Sequence, residues 1–220
     1  MKKILLGLFI FITVTVSGQN HLVGVKTGCN WSNTVNSNFG KTNFKPGFSG
    51  GLTYDYLFKS YFSTGADILF ENRGFKDMVI FTDQNGSPLA ETTFKYNYNY
   101  ISIPLKIGFH YGKKFYGFAN LAVLPSLLIN SNVISPVVDI HGRVGEDQKI
   151  NVTKSVSKFN IGALAEIGGG YKFKERYWLF LSFQYQHHFL SVTNSGYFRF
   201  SKIYPYAMVL NLGFQYALTK

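Results

Sequence analysis

The stretch YPYAMVLNLGFQYAL, residues 204–218, decides the fold class. Tyr206, Met208, Leu210, Leu212, Phe214, Tyr216 and Leu218 share one parity; Ala207, Asn211, Gly213, Gln215 and Ala217 share the other. Successive side chains of a strand point to opposite faces, whereas a helix would place apolar residues three and four apart. The stretch is a strand with one bulky apolar face and one small or polar face.

Moving toward the N-terminus, the same parity returns in segment after segment. Residues 177–189 oppose Leu179, Leu181, Phe183, Tyr185 and Phe189 to Ser182, Gln184, Gln186 and His188. Residues 158–172 oppose Phe159, Ile161, Ala163, Ala165 and Ile167 to Asn160, Gly162, Glu166, Gly168 and Gly170. Over 98–111 the apolar set is Ile101, Ile103, Leu105, Ile107, Phe109 and Tyr111, with Ser102, Lys106, Gly108 and His110 opposite. Segments 21–31, 46–58 and 61–73 follow suit, with Leu69 out of step, and 115–128 is a strand without a clearly polar face. No stretch after residue 20 holds apolar residues at helical spacing for three turns. Eighteen per cent aromatic residues beside 22 glycines, with few charges, suits strands carrying bulk on one face and little on the other.

The links between these eight strands alternate in length. Lys59-Ser60, 112–114 and the region of Lys174-Glu175 are short; 32–45, 74–97, 129–157 and 190–203 are long and read as loops. An up-and-down meander with every long connection at one end matches transmembrane barrels. Each strand also meets or exceeds the ~9–11 residues that a tilted strand needs to cross hydrocarbon.

Residues 1–18 read as a cleaved signal peptide. Lys2 and Lys3 form the positive region, Ile4–Val16 the apolar run, and Val16 and Gly18 suit cleavage before Gln19. The barrel domain is then 19–220, and without Lys2 and Lys3 the formal charge falls from +11 to +9. The basic residues form no stripe, so lipid phosphates are the expected target and nucleic acid is not. The single cysteine, Cys29, excludes an intramolecular disulfide framework.

Alternation alone leaves open whether the apolar face points inward, as in a soluble lipid carrier, or outward. Volume decides for outward, because eight strands enclose little more than their own side chains. Gly, Ser, Asn and Ala fit such a lumen; Phe, Tyr, Leu and Ile at nearly every position would overfill it. Tyr54, Tyr56, Phe58, Tyr61, Tyr111, Tyr177 and Tyr216 gather near the short links as an interfacial girdle, with Trp178 close by on the lumen parity. The fold class is therefore all-β: an antiparallel transmembrane barrel of about eight strands. Lys26, Asp55, Asp67, Glu71, Arg73, Lys106 and Glu166 project into its lumen, three cations against four carboxylates. In a narrow, poorly hydrated space they are expected to pair into a plug of salt bridges, the alternative being a narrow ion pathway.

Three segments carry a family resemblance. Gly24-Val25-Lys26-Thr27-Gly28-Cys29-Asn30 resembles the opening G-x-K-x-G-x-N strand of the porin-like, PorT-like outer-membrane barrel family. Tyr100-Ile101-Ser102-Ile103-Pro104-Leu105 resembles its Y-L-E-I-P-L strand, with Ser102 at the acidic position, and Leu124-Pro125-Ser126 is similar to its G-P-S step without the glycine. The resemblance implies an eight-stranded barrel in a Gram-negative outer membrane, and one branch of the family is associated with protein secretion. Asn211, Gly213, Tyr216 and Leu218 look like the C-terminal signal read by the outer-membrane assembly machinery, with Thr219 and Lys220 following. Pro104, lacking an N–H, should interrupt the ladder.

Signals for other chemistry are weak. His187 and His188 near Ser182 and Ser191 suggest a lipid-modifying hydrolase, yet adjacent strand residues face opposite sides, so the two histidines serve no common site. The five histidines show no metal-ligand spacing beyond that pair, and Gly168-Gly169-Gly170 precedes no helix. No catalytic, metal or cofactor site is expected. The expected partners are outer-membrane lipid and lipopolysaccharide, the assembly machinery, and an unidentified protein or ligand at the long loops, above all 129–157.

Overall fold

The computed structural model describes residues 20–36, 42–58, 61–139, 141–174, 176–193 and 202–218. The expected signal peptide, and Thr219 and Lys220, lie outside these residues.

Among the described residues there are ten strands: β1 (Asn20–Asn36), β2 (Thr42–Phe58), β3 (Phe62–Thr82), β4 (Pro88–Ser102), β5 (Leu105–Gly112), β6 (Phe115–Val138), β7 (Val144–Asn151), β8 (Phe159–Phe173), β9 (Tyr177–His188) and β10 (Ile203–Ala217). All pairings are antiparallel, and β1 pairs with both β2 and β10, so the sheet closes. The ten strands make eight staves. β4 and β5 are one stave, since both pair with β3 on one side and β6 on the other. The break falls at Ile103-Pro104, where the missing N–H was expected to interrupt pairing. The Pro104 carbonyl still accepts from Asp67 (3.1 Å), and Ile103 donates to the Pro125 carbonyl (2.9 Å). The other extra strand, β7, pairs only with β6.

Three expected loops are mostly strand; in 32–45, β1 runs on to Asn36 and β2 begins at Thr42. β3 and β4 pair as far as Thr82↔Pro88, so 74–97 is a long hairpin with only 83–87 at its tip. β6 and β7 likewise pair from Asn132↔Asn151 to Val138↔Val144, and the described residues of the tip are Asp139 and 141–143. Their polar Thr, Asn and Lys residues imitate loop composition, and the apolar parity inverts there: Phe75, Tyr96, Tyr98 and Val133 turn inward to a buried cluster while Asn and Lys turn outward. The two tips share one device. The Asp83 carboxylate accepts from the N–H groups of Asn85 (2.9 Å) and Ser87 (2.8 Å), and Asp139 does the same for His141 (2.9 Å) and Arg143 (2.8 Å). Each tip then needs a left-handed residue, supplied by Gly86 (φ 82°) and Gly142 (φ 77°).

Outside, the bulky set is exposed around the wall: Tyr111 and Phe115 are about three-quarters accessible, and Leu121, Ile107 and Ile167 nearly as open. Soluble monomers rarely expose apolar patches beyond a few hundred Å², and this one encircles the molecule. Inside, the expected lumen of small and polar residues is supplemented by three apolar clusters. Leu22, Leu57, Tyr116, Trp178, Phe180 and Ala217 fill the short-link end. Ala122, Leu124 and Leu164 form a small middle cluster. Phe75, Tyr96, Tyr98, Tyr100, Val133, Val152, Val156, Val192 and Ile203 fill the hairpin end. Leu69, out of step in the sequence, is fully buried on the lumen side. Trp178 is 3% exposed and belongs to the lower cluster instead of the outer girdle, where Tyr61 and Tyr111 stack at 6.3 Å.

Candidate functional site: a closed lumen and its outer hairpins

The seven charged residues singled out in the sequence form one connected array. Lys26 on β1 pairs with Asp67 on β3 (2.6 Å) and lies 3.7 Å from Glu166 on β8. Lys106 on β5 bridges Asp67 (2.7 Å) and Asp55 on β2 (2.8 Å), and donates to Thr53 (3.2 Å). Higher in the lumen, Arg73 pairs with Glu71, contacts His188, and bonds Ser102 (3.2 Å). Its guanidinium also sits 5.6 Å from the Tyr100 ring centre.

Neutral groups join the two clusters. Glu166 accepts from Asn120 (2.9 Å), Ser182 (2.8 Å) and Gln184 (2.8 Å), while Gln186 donates to Gln184 (3.3 Å) and to Glu71 (3.0 Å). Gln215 donates to Asp55 at 2.6 Å. The sequence placed Ser182, Gln184, Gln186 and His188 on the lumen parity, but their part in the array escaped notice because they carry no formal charge. The parity itself was the signal.

Beneath the array lies an aromatic floor. Trp178 is packed by His110 and Tyr116, each 5.0 Å away between ring centres, and the Lys172 ammonium sits 4.0 Å above the Trp178 ring. Phe180 lies over Gly213 and Tyr116 over Gly170; a Cβ at either glycine would fall inside van der Waals contact of the ring, at 2.1 and 2.6 Å. The space left among Lys26, Asp55, Lys106, Glu166 and this floor is about 30 Å³. That is room for one or two waters, far short of a continuous pore.

The hydrolase candidates do not converge. Ser182 is bound to Glu166, His188 stands against Arg73 six residues along the same strand, and His187 lies half-buried on the outward parity. Ser191 pairs with Thr193 at 2.7 Å. Among the described residues no group of three His, Cys, Asp or Glu could hold a metal ion. Of the expected assembly signal, Asn211 is buried beside Ser182, Gly213 lies under Phe180, Tyr216 packs on Tyr177 (5.4 Å between centres), and Leu218 is exposed.

A closed antiparallel barrel with an apolar outside and a filled polar inside defines a transmembrane β-barrel protein, since closure satisfies every backbone group in hydrocarbon. The chain belongs to the outer membrane protein beta-barrel domain family, whose model matches residues 18–194. Its structure is similar to that of Neisserial surface protein A, from Neisseria, at 13% identity and a TM-score of 0.50, over 91% of this chain and 99% of that one. It is also similar to OprG from Pseudomonas aeruginosa, at 13% identity and a TM-score of 0.49, over 91% and 96% of the two chains. Among curated proteins none matches. The protein therefore resides in a Gram-negative outer membrane, with its short links at the periplasmic end and its hairpins outside.

Proposed function

We propose that this protein is a non-conducting, non-enzymatic barrel whose work is done by the outer hairpins β3–β4 and β6–β7, as an interaction or structural protein of the cell surface. The observation that carries this reading is the lumen: salt-bridged carboxylates and cations wedged above an aromatic floor, leaving about 30 Å³. Any ion crossing it would have to dismantle buried pairs whose separation costs several kcal/mol each. The hairpins, by contrast, are ordered strand with outward-facing Met78, Ile80 and Val144 exposed above the membrane. Rigid, partly apolar surface of this kind suits recognition.

The PorT-like resemblance is part of the proposal and rests on the Gly24–Asn30 and Tyr100–Leu105 segments. The carboxylate that family carries at position 102 is replaced by Ser102, and Glu71 on the neighbouring strand provides the one that Arg73 pairs with. The assembly machinery, engaged through Asn211, Gly213, Tyr216 and Leu218, completes the set of partners in this reading.

Single-channel recording of purified protein in planar bilayers tests it. The expected trace is silent, and a steady conductance on the nanosiemens scale would overturn the plug.

A further inference from the structure

The outward face of the external sheet carries a regular polar pattern unused by the lumen. Pairing across β3, β4, β6 and β7 aligns side chains in rows. The last apolar row is Phe70–Ile101–Leu127–Phe159. Directly above it comes Asn72–Asn99–Asn130, then Asn97–Asn132–Asn151. Above these is Lys76–Lys95–Ile134–Lys149. The amides are coupled side by side. Lys45 donates to Asn72 (2.7 Å), Asn72 to Asn99 (2.6 Å), Asn99 to Asn130 (2.7 Å), and Asn97 to Asn132 (3.2 Å).

We infer that these rows form a binding site for the phosphorylated sugar head group of an outer-leaflet glycolipid, whose acyl chains lie against the apolar row below. Three features favour that occupant. Lys76 and Lys95 stand directly opposite each other, a like-charge pairing that destabilises a bare sheet and that a bound anion relieves. Among the described residues the only carboxylate paired to this lysine row is Asp147, 3.4 Å from Lys95, so cations are in excess. Each asparagine keeps donor and acceptor capacity beyond its ladder bond, which suits sugar hydroxyls.

Height separates a glycolipid from an ordinary phospholipid. At about 3.3 Å per residue and a tilt near 40°, the polar rows from Asn72 to Lys76 end roughly 15 Å above the last apolar row. A phospholipid head-group layer is only about 5–7 Å deep. The patch is also one-sided, which a uniform polar belt would not be: on β1 and β10 the outward positions at this end are Trp31, Val35, Tyr204, Tyr206 and Met208, with the buried Asn33 the polar residue among them.

The test titrates folded full-length protein in neutral detergent with purified rough-type lipopolysaccharide, the same material stripped of phosphate, and phosphatidylglycerol. Saturable binding of the first alone is expected. Binding should fall on the order of a hundredfold in the triple variant Lys76→Gln/Lys95→Gln/Lys149→Gln, at about fivefold per lysine. The periplasmic-end variant Lys113→Gln/Lys114→Gln should bind as the parent does. Equal binding of the phosphate-free form or of phosphatidylglycerol, or an unchanged triple variant, overturns the site. The lipid comparison uses unaltered protein, so it decides the matter even where the triple variant does not fold, and a silent or conducting lumen has no bearing on it.

Discussion

Lys26 on β1 reaches past the intervening strand β2 to meet Asp67 on β3 at 2.6 Å, with both side chains sealed from solvent. The same ammonium lies 3.7 Å from Glu166 on β8, three staves round in the other direction, a reach that a narrow lumen makes possible, so Lys26 reports barrel diameter as well as charge. Lys26→Met leaves Glu166 without its nearest cation and Asp67 with Lys106 alone. Losing one partner of a buried pair costs about 3–5 kcal/mol. Lys106→Met, which leaves Asp55 without its paired cation and Asp67 with Lys26 alone, should cost about as much. Urea midpoints of the folded band on unheated gels measure both, and losses under about 1 kcal/mol would refute a shared network.

The second relationship is steric. Phe180 covers Gly213 so closely that any side chain there must displace the ring. Gly213→Ala should destabilise by about 1–3 kcal/mol, the usual cost of overpacking. Combining it with Phe180→Leu, which removes the colliding ring atoms, should recover part of that loss. Additive losses in the pair would mean that the two residues do not touch.

Much of this was legible in residue parity. The seven lumen charges, the outward rings and the break at Pro104 follow from period-two alternation and the missing proline donor. The filled ends of the lumen were harder to read. Leu22, Leu57, Trp178 and Phe180 share parity with polar residues, and the rings of Phe180 and Tyr116 are accommodated by Gly213 and Gly170 on neighbouring strands, a pairing that only register reveals. The external strands were missed for a different reason. Above the bilayer the outward face turns polar while Phe75, Tyr96, Tyr98 and Val133 pack inside, so Lys76, Asn97, Asn132 and Asp147 read as loop although they sit in a ladder.

Cys29 offers a chemical check on which face meets lipid. It is exposed on the outward side of β1, between Phe48 and Leu210. Thiols react as thiolates, which hydrocarbon disfavours. A water-soluble maleimide should therefore leave Cys29 unlabelled in intact outer membranes and label it fully after boiling in detergent. Rapid labelling of the native membrane form would place this face in water and remove the transmembrane assignment.

The β6–β7 hairpin should be separable from the barrel. β7 pairs with β6 alone, and all of its residues are exposed, so it contributes little to the closed wall. Replacing 134–149 with a two-residue Asn-Gly turn keeps the eight staves and their lumen pairs. The shortened protein should assemble, keep its heat-modifiable mobility, and unfold within about 1 kcal/mol of the parent. If the hairpins perform the proposed work, the same variant loses surface interactions that the parent supports in whole cells, read as adhesion or partner cross-linking. A variant that fails to assemble would show that the hairpin belongs to the folding unit, contrary to its one-sided pairing. A variant that assembles and retains every interaction would move the function to β3–β4 or to the barrel wall.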